Sequence, residues 1–349
     1  MNKIIIIFTI SIVNLIYMFK KSFRGKMKED GKITTEKINY RKPLFKSSFI
    51  QNWYAKNFTL ERWIDELQML QDVGVREIIL QSVVDTKNKY AVYPTKINGY
   101  SVNENDMILL ALDAAKIVGI KVRVGLGESD DWWYKGLYDF NWLSKEAVIN
   151  KKIINEVFKK YGYHEAFGGW YIPYEFSESF FTIKSQQINL NLFYRSIANE
   201  IKSKNSNLSI MIAPFYNSNK SKIGDLKLWS KGVQGVLINT NIDIVSLQDS
   251  VGAGFNTIDN IGRVFYHTKQ ATDSLGITLY ADTETFIAAD NGNVSEAQEQ
   301  IFRRMSEVNP YVKGFVAFSI NHFQNKNVES QIGNYEDYFK YYNENKKEI

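Results

Sequence analysis

Phe167-Gly-Gly-Trp-Tyr-Ile-Pro-Tyr-Glu-Phe-Ser-Glu178 decides the architecture. Its apolar residues run from Gly168 to about Pro173 without alternation, as in a strand buried on both faces, and deliver Glu175 just past the strand's C-terminal end. A second stretch of the same build, Ile277-Thr-Leu-Tyr-Ala-Asp-Thr-Glu-Thr-Phe286, carries Asp282 and Glu284 after an apolar strand.

The same unit recurs on either side of these stretches. Strands are predicted at 49–53, 77–84, 120–126, 168–173, 208–214, 242–248, 277–281 and 312–319. Helical spacing predicts helices over 59–73, 106–118, 145–160, 185–203, 257–274, 296–307 and 335–342, with Gly74 and Gly119 closing the first two. Eight strand–helix units with near-continuous apolar strands predict one α/β domain, a (β/α)8 TIM barrel spanning 47–349. No Gly-x-Gly-x-x-Gly follows the first strand and no Gly-rich lysine loop occurs anywhere, which argues against dinucleotide- and nucleotide-binding folds.

Composition narrows the chemistry. A chain of 349 residues, 44% hydrophobic and 14% aromatic, has enough apolar surface for a large core. It has no cysteine, so disulfides, thiolate catalysis and Cys-type zinc sites are excluded. Its three histidines, His164, His267 and His322, show no paired spacing, and neither a metal nor another cofactor is expected. The net charge of +5 is uneven: residues 1–46 hold eleven Lys/Arg and three Asp/Glu, leaving 32 basic against 35 acidic residues in the rest. The folded part is slightly acidic, and nucleic acid is not an expected partner.

The apolar run 4–19, with Lys3 before it and Lys20, Lys21, Arg24, Lys26 and Lys28 after it, reads as a signal or membrane anchor over 1–19. An uncleaved anchor is favoured, since no small-x-small cleavage site follows. Residues 20–46 are polar, basic and without period, and read as a stalk. The positive-inside tendency would hold the domain in the cytoplasm, while a polysaccharide substrate would put it outside the cell, anchored or secreted.

A barrel gathers its eight C-terminal strand ends on one face, where barrel enzymes keep their chemistry. That face would hold Asn52 and Trp53; Gln81 and Asp85; Glu128, Trp132 and Trp133; Glu175 and Glu178; Tyr216 and Asn217; Gln248 and Asp249; Asp282 and Glu284; Asn321 and His322. Carboxylates and amides suit sugar hydroxyls, and indole rings suit the flat C–H faces of sugars. Two carboxylates from two strand ends are the equipment of glycosidic cleavage, with Glu175 as proton donor and Glu284, or failing it Asp282, as nucleophile. Trp53, Gln81, Trp132, Trp133, Tyr216, Gln248, Asp249, Asn321 and His322 are the substrate-binding candidates. His322 serves equally well as a structural histidine. Glu178, already in the loop, is expected to bond backbone or solvent, and Trp63 and Trp229 belong in the core.

The segments Gly-Trp-Tyr-Ile-Pro-Tyr-Glu175, Ser-Leu-Gln-Asp249-Ser-Val-Gly and Asp-Thr-Glu284-Thr-Phe together resemble a domain-of-unknown-function family of TIM-barrel glycoside hydrolases. Within it the chain is similar to the endo-β-1,4-glucanases that accompany cellulose synthase in clostridial exopolysaccharide clusters. The resemblance implies a retaining mechanism with glutamates after strands four and seven, here Glu175 and Glu284. It also implies extracellular or membrane-anchored action on nascent cellulose, beside a cellulose synthase complex at the membrane; the chain is expected to be a monomer. The large clan of such barrels carries Asn immediately before its acid/base glutamate; this chain has Tyr174, so the contact to the sugar 2-hydroxyl must come from elsewhere or be missing. A non-catalytic glucan-binding barrel, or a hydrolase of another polysaccharide, are the competing expectations.

Overall fold

The computed structural model describes residues 42–220 and 226–346. The expected anchor and most of the expected stalk lie outside them. Among the described residues, no helix is long and apolar enough to cross a membrane.

Eight parallel strands close into a barrel: β1 (Phe45–Ile50), β2 (Glu77–Leu80), β3 (Lys121–Gly125), β4 (Phe167–Ile172), β5 (Ser209–Ile212), β6 (Ile244–Gln248), β7 (Thr278–Glu284) and β8 (Phe315–Phe318). Closure runs through β1 and β8, where Ser48 lies opposite Ala317. Eight helices wrap the outside: α1 (Leu60–Asp72), α2 (Met107–Val118), α3 (Phe140–Tyr161), α4 (Lys184–Lys204), α5 (Leu226–Leu237), α6 (Ile258–Leu275), α7 (Gln298–Val308) and α8 (Ile332–Asn345). The fold is thus the (β/α)8 barrel the strand count requires.

Local chemistry sets the helix ends. Asp106 caps α2 by accepting from the Leu109 amide, and Gly119 ends it at φ 82°, a left-handed geometry that a side chain disfavours. Asp139 caps α3, accepting from the Trp142 amide at 2.9 Å, so that helix begins five residues before the expected start.

The core has two layers. Outward-facing strand residues pack under the helices, while Phe49, Ile79, Tyr171, Met211, Ala213 and Val316 fill the barrel interior. At the N-terminal end of the interior the buried Arg123 pairs with Glu77 at 3.0 Å and donates to the Ser209 carbonyl at 2.9 Å. That plug leaves the opposite face for chemistry.

The strand ends around the mouth also differ from the sequence reading. β1 begins at Phe45, two residues before the expected domain start, and stops at Ile50, because Asn52–Ala55 closes into a helical turn through the Lys56 amide and the Asn52 carbonyl. β7 runs on to Glu284, and an antiparallel hairpin (Phe286–Ala289 with Gly292–Ser295) follows it before α7. After β2 and β3, the short strands Val84–Asp85, Tyr90–Ala91, Ser101–Val102 and Gly127–Glu128 form a small sheet at the barrel mouth.

Candidate active site

Glu175 follows β4 by way of Pro173 and Tyr174, and its backbone is clamped from two sides. The Tyr194 hydroxyl donates to the Tyr174 carbonyl, and the Trp132 indole donates to the Glu175 carbonyl at 2.7 Å. Tyr174 itself is buried, its hydroxyl donating to Glu146 at 2.6 Å, so it offers nothing to a ligand. The Gln248 amide, anchored on the Ala213 carbonyl at 2.8 Å, also bonds the Glu175 carboxylate. Burial pushes Glu175 up to about 8, Gln248 partly opposes this, and the charge of Glu128 adds to it.

Glu284 sits at the end of β7, opposite Phe318 of β8, and is 6% exposed. Its Oε2 accepts from the Ala253 amide at 2.8 Å. Burial and the neighbouring Asp249 push Glu284 up to about 8, while the Ala253 amide, Arg304 and the Gly252 amide favour its charged form. Asp282, two residues back on the same face and in register with Gln248, is raised well above the usual range by burial and by Glu175, Glu284 and Asp249. Its Oδ1 is buried with no hydrogen-bond partner. Asp282 therefore stands electrostatically between Glu175 and Glu284, both of which raise its carboxyl, and its buried Oδ1 receives no donor that would offset them.

Two residues without a role in the sequence reading belong to this group. Glu128, paired with Asp85 in the small sheet, accepts from Ser82 at 2.6 Å, and burial pushes it up to about 7. Tyr171 fills the top of the barrel interior; burial raises its phenol, as do the charges of Glu175, Asp282 and Glu128. The signal for Tyr171 was strand parity, since Trp170 turns outward to the helices.

The structure divides the substrate-binding candidates. Trp53 (61% exposed) and Trp133 (56% exposed) stand on the rim. Gln81 is half-buried there, bonded to Gln51 at 2.6 Å, and Gln248 is half-buried beside Glu175. Four candidates are corrected. Trp132 is buried against Phe180 and Tyr174, because its helical turn presents one indole inward and the next outward. Tyr216 is buried edge-on to Trp229, and Asp249 is buried in an ion pair with Arg304 at 3.6 Å. Asn321 turns away from the mouth to donate to the buried Glu66 at 2.6 Å. His322 accepts from the Gln51 amide at 3.2 Å and packs its ring on Trp53 and Tyr54. Burial lowers it to about 4, so it is neutral and holds the strand-one rim in shape. Glu178 accepts from the Asn217 amide at 3.0 Å, and Trp63 and Trp229 are core residues. Among the described residues no group of three or more His, Asp or Glu is arranged to hold a metal.

Gly252 fixes the distance between the turn after β6 and β7. A Cβ there would stand 2.0 Å from the Phe286 carbonyl oxygen and 3.0 Å from Glu284 Oε2. Gly252→Ala is expected to cost about 1–3 kcal/mol through overpacking, and to disturb Glu284 more than the rest of the fold. Differential scanning fluorimetry checks the first effect and turnover the second; unchanged turnover would contradict the second.

Fold and site together define a (β/α)8 barrel with half-buried carboxylates after β3 and β4 and buried ones at the end of β7, and solved structures sharing its fold include glycoside hydrolases. The chain belongs to the family described as domain of unknown function DUF4434, whose profile matches residues 45–331. A candidate α-L-fucosidase from Bacteroides thetaiotaomicron VPI-5482 is similar at 20% identity with a TM-score of 0.74, over 92% of this chain and 100% of that one. The endo-1,4-β-D-mannanase of Thermotoga petrophila RKU-1 is similar at 15% identity and TM-score 0.54, over 80% and 88%. The GH99 endo-α-mannosidase of Bacteroides thetaiotaomicron is similar at 12% identity and TM-score 0.51, over 85% and 98%. No curated protein sequence matches.

Proposed function

We propose that this chain is a retaining endo-glycosidase of a β-linked polysaccharide, most simply an endo-β-1,4-glucanase acting on cellulose or a related glucan. The observation that carries the reading is the pairing of strand ends: Glu175 after β4, clamped and held protonated by burial, and Glu284 at the end of β7, steadied by an amide. Glu175 protonates the leaving oxygen while Glu284 attacks the anomeric carbon, and Glu175 then draws the proton from water to release the sugar. The donors to Glu284 favour it over Asp282 as the nucleophile. Gln248, already bonded to Glu175, takes the hydroxyl contact for which Tyr174 has no free group.

An endo-acting cleft requires grip on both sides of the cut bond. Trp133, Phe215 and Phe255 come from the loops after β3, β5 and β6, and their rings follow one another at 6.2 and 5.8 Å. Trp53 stands after β1, across the eight-strand ring from Phe215. Trp133→Ala is expected to raise KM about tenfold on long glucans, about 1.4 kcal/mol, and to leave a short aryl glycoside unaffected. Equal losses on both would remove Trp133 from the polymer path.

The site of action, in this reading, is the outer face of the membrane beside a polysaccharide synthase. The deciding experiment is reducing-end release by the full-length protein from carboxymethylcellulose, mixed-linkage glucan and mannan. Mannan is included because one solved relative is a mannanase. Release from the two glucans supports the reading; release from mannan alone corrects the sugar. Binding without release from any of them makes the barrel a glucan-binding module.

A further inference from the structure

α7 places one cation beneath the carboxylates. Ile301, Arg304, Met305 and Val308 share its buried face, so a guanidinium occupies a position whose neighbours are apolar. Arg304 is 1% exposed and meets Glu296 at 2.9 Å and Asp249 at 3.6 Å. Its Nε and Nη1, together with Asp249 Oδ2, have no hydrogen-bond partner. A buried arginine left half-satisfied is a poor stabiliser of a fold, since desolvation offsets most of its attraction.

Asp249 connects this cation to the reacting strand. Its Oδ1 accepts from the Val251 amide at 3.1 Å, its backbone amide donates to the Asp282 carbonyl at 2.9 Å, and its carbonyl accepts from Asn256 at 3.0 Å. These bonds shape the turn from 249 to 256, and that turn presents the Ala253 amide to Glu284. The charged groups facing Glu284 come from three elements: Asp282 from its own strand, Asp249 from the end of β6, and Arg304 from α7 with Glu296 behind it.

We propose that Arg304 and Asp249 are positioning residues for Glu284, the cation and the anion acting oppositely on its charge while the turn they anchor holds its carboxylate for attack. The inference rests on the proposed function for the word attack alone; the effect on Glu284 exists whether or not a polysaccharide is cut. Burial and Asp249 push the Glu284 carboxyl up, and Arg304 draws it down. Removing the two partners is therefore expected to move it in opposite directions.

The test is a carbon-13 carboxyl NMR titration of glutamate-labelled full-length protein, with the Glu284 resonance assigned by its loss in Glu284→Gln. Arg304→Met is expected to move the Glu284 midpoint to higher pH by about one unit, and Asp249→Asn to lower pH by a similar amount, each a tenfold change in the ionised fraction. Arg304→Lys keeps the charge and is expected to hold the midpoint close to the wild type, which guards against Arg304→Met failing to fold. On any polysaccharide the wild type cleaves, the acid limb of kcat/KM should move with these midpoints while KM stays within about twofold. Midpoints that stay put, or move together, overturn the proposal even in an active enzyme. Opposed movements without cleavage of any polymer keep the charge relation and sink the hydrolase reading instead.

Discussion

Glu175→Gln is expected to lower kcat/KM on a glucan by about 10²–10⁴, the usual worth of a positioned general acid–base, while the variant still binds the polymer. The reason lies in the clamp on its backbone: bonds to the Tyr174 and Glu175 carbonyls fix where the carboxyl stands, and Gln accepts the same fixed position without a transferable proton. An aryl glycoside with a good leaving group needs no proton at the first step, so on that substrate the loss should fall on deglycosylation and a glycosyl-enzyme should accumulate. Glu284→Gln is expected to remove turnover on both kinds of substrate, because it removes the nucleophile whose carboxylate the Ala253 amide holds at 2.8 Å. Intact-mass measurement after mixing separates the two variants. An adduct on Glu284→Gln, or full activity in Glu175→Gln, would reverse or cancel the roles.

The second large effect is on stability. Burial raises Glu175 and Glu284 to about 8 and Glu128 to about 7, and raises Asp282 in the same direction. In the unfolded chain these groups release their protons near the ordinary carboxylate value, about 4–4.5. Between there and about pH 8 the native state therefore holds more protons than the unfolded one, and unfolding free energy falls as pH rises. The melting temperature is expected to be highest near pH 5 and to fall steadily from there to pH 8.5. Glu284→Gln and Asp282→Asn should melt higher than the wild type at pH 8 and close to it at pH 5. Scanning calorimetry at fixed ionic strength tests this, and a melting temperature that is level or rising between pH 5 and 8 would refute it.

The fold was legible because a strand buried on both faces reads as an unbroken apolar run, and eight such runs alternating with helices leave few architectures. Glu175, Asp282 and Glu284 were legible for the same reason, as polar residues at the ends of apolar strands. The hairpin after β7 was missed although Asn291-Gly292 marks its turn, because its strands are only 4 residues each and show no alternation. Arg304 carried a signal too, a lone cation on an apolar helical stripe, but nothing local said what faced it.

Trp132 and Trp133 show where local reading ends. They are the same residue twice, yet one packs under Phe180 and supports Glu175 while the other stands in solvent, and only the direction of a four-residue helical turn separates them. Asp249 and Asn321 fell at the expected height and turned inward, toward Arg304 and Glu66. By itself the sequence determined which residues end strands, since backbone period and burial are properties of short segments. Which strand-end side chains face the cleft, and which carboxylates share its protons, was decided only by tertiary structure, because both depend on groups brought together from distant parts of the chain.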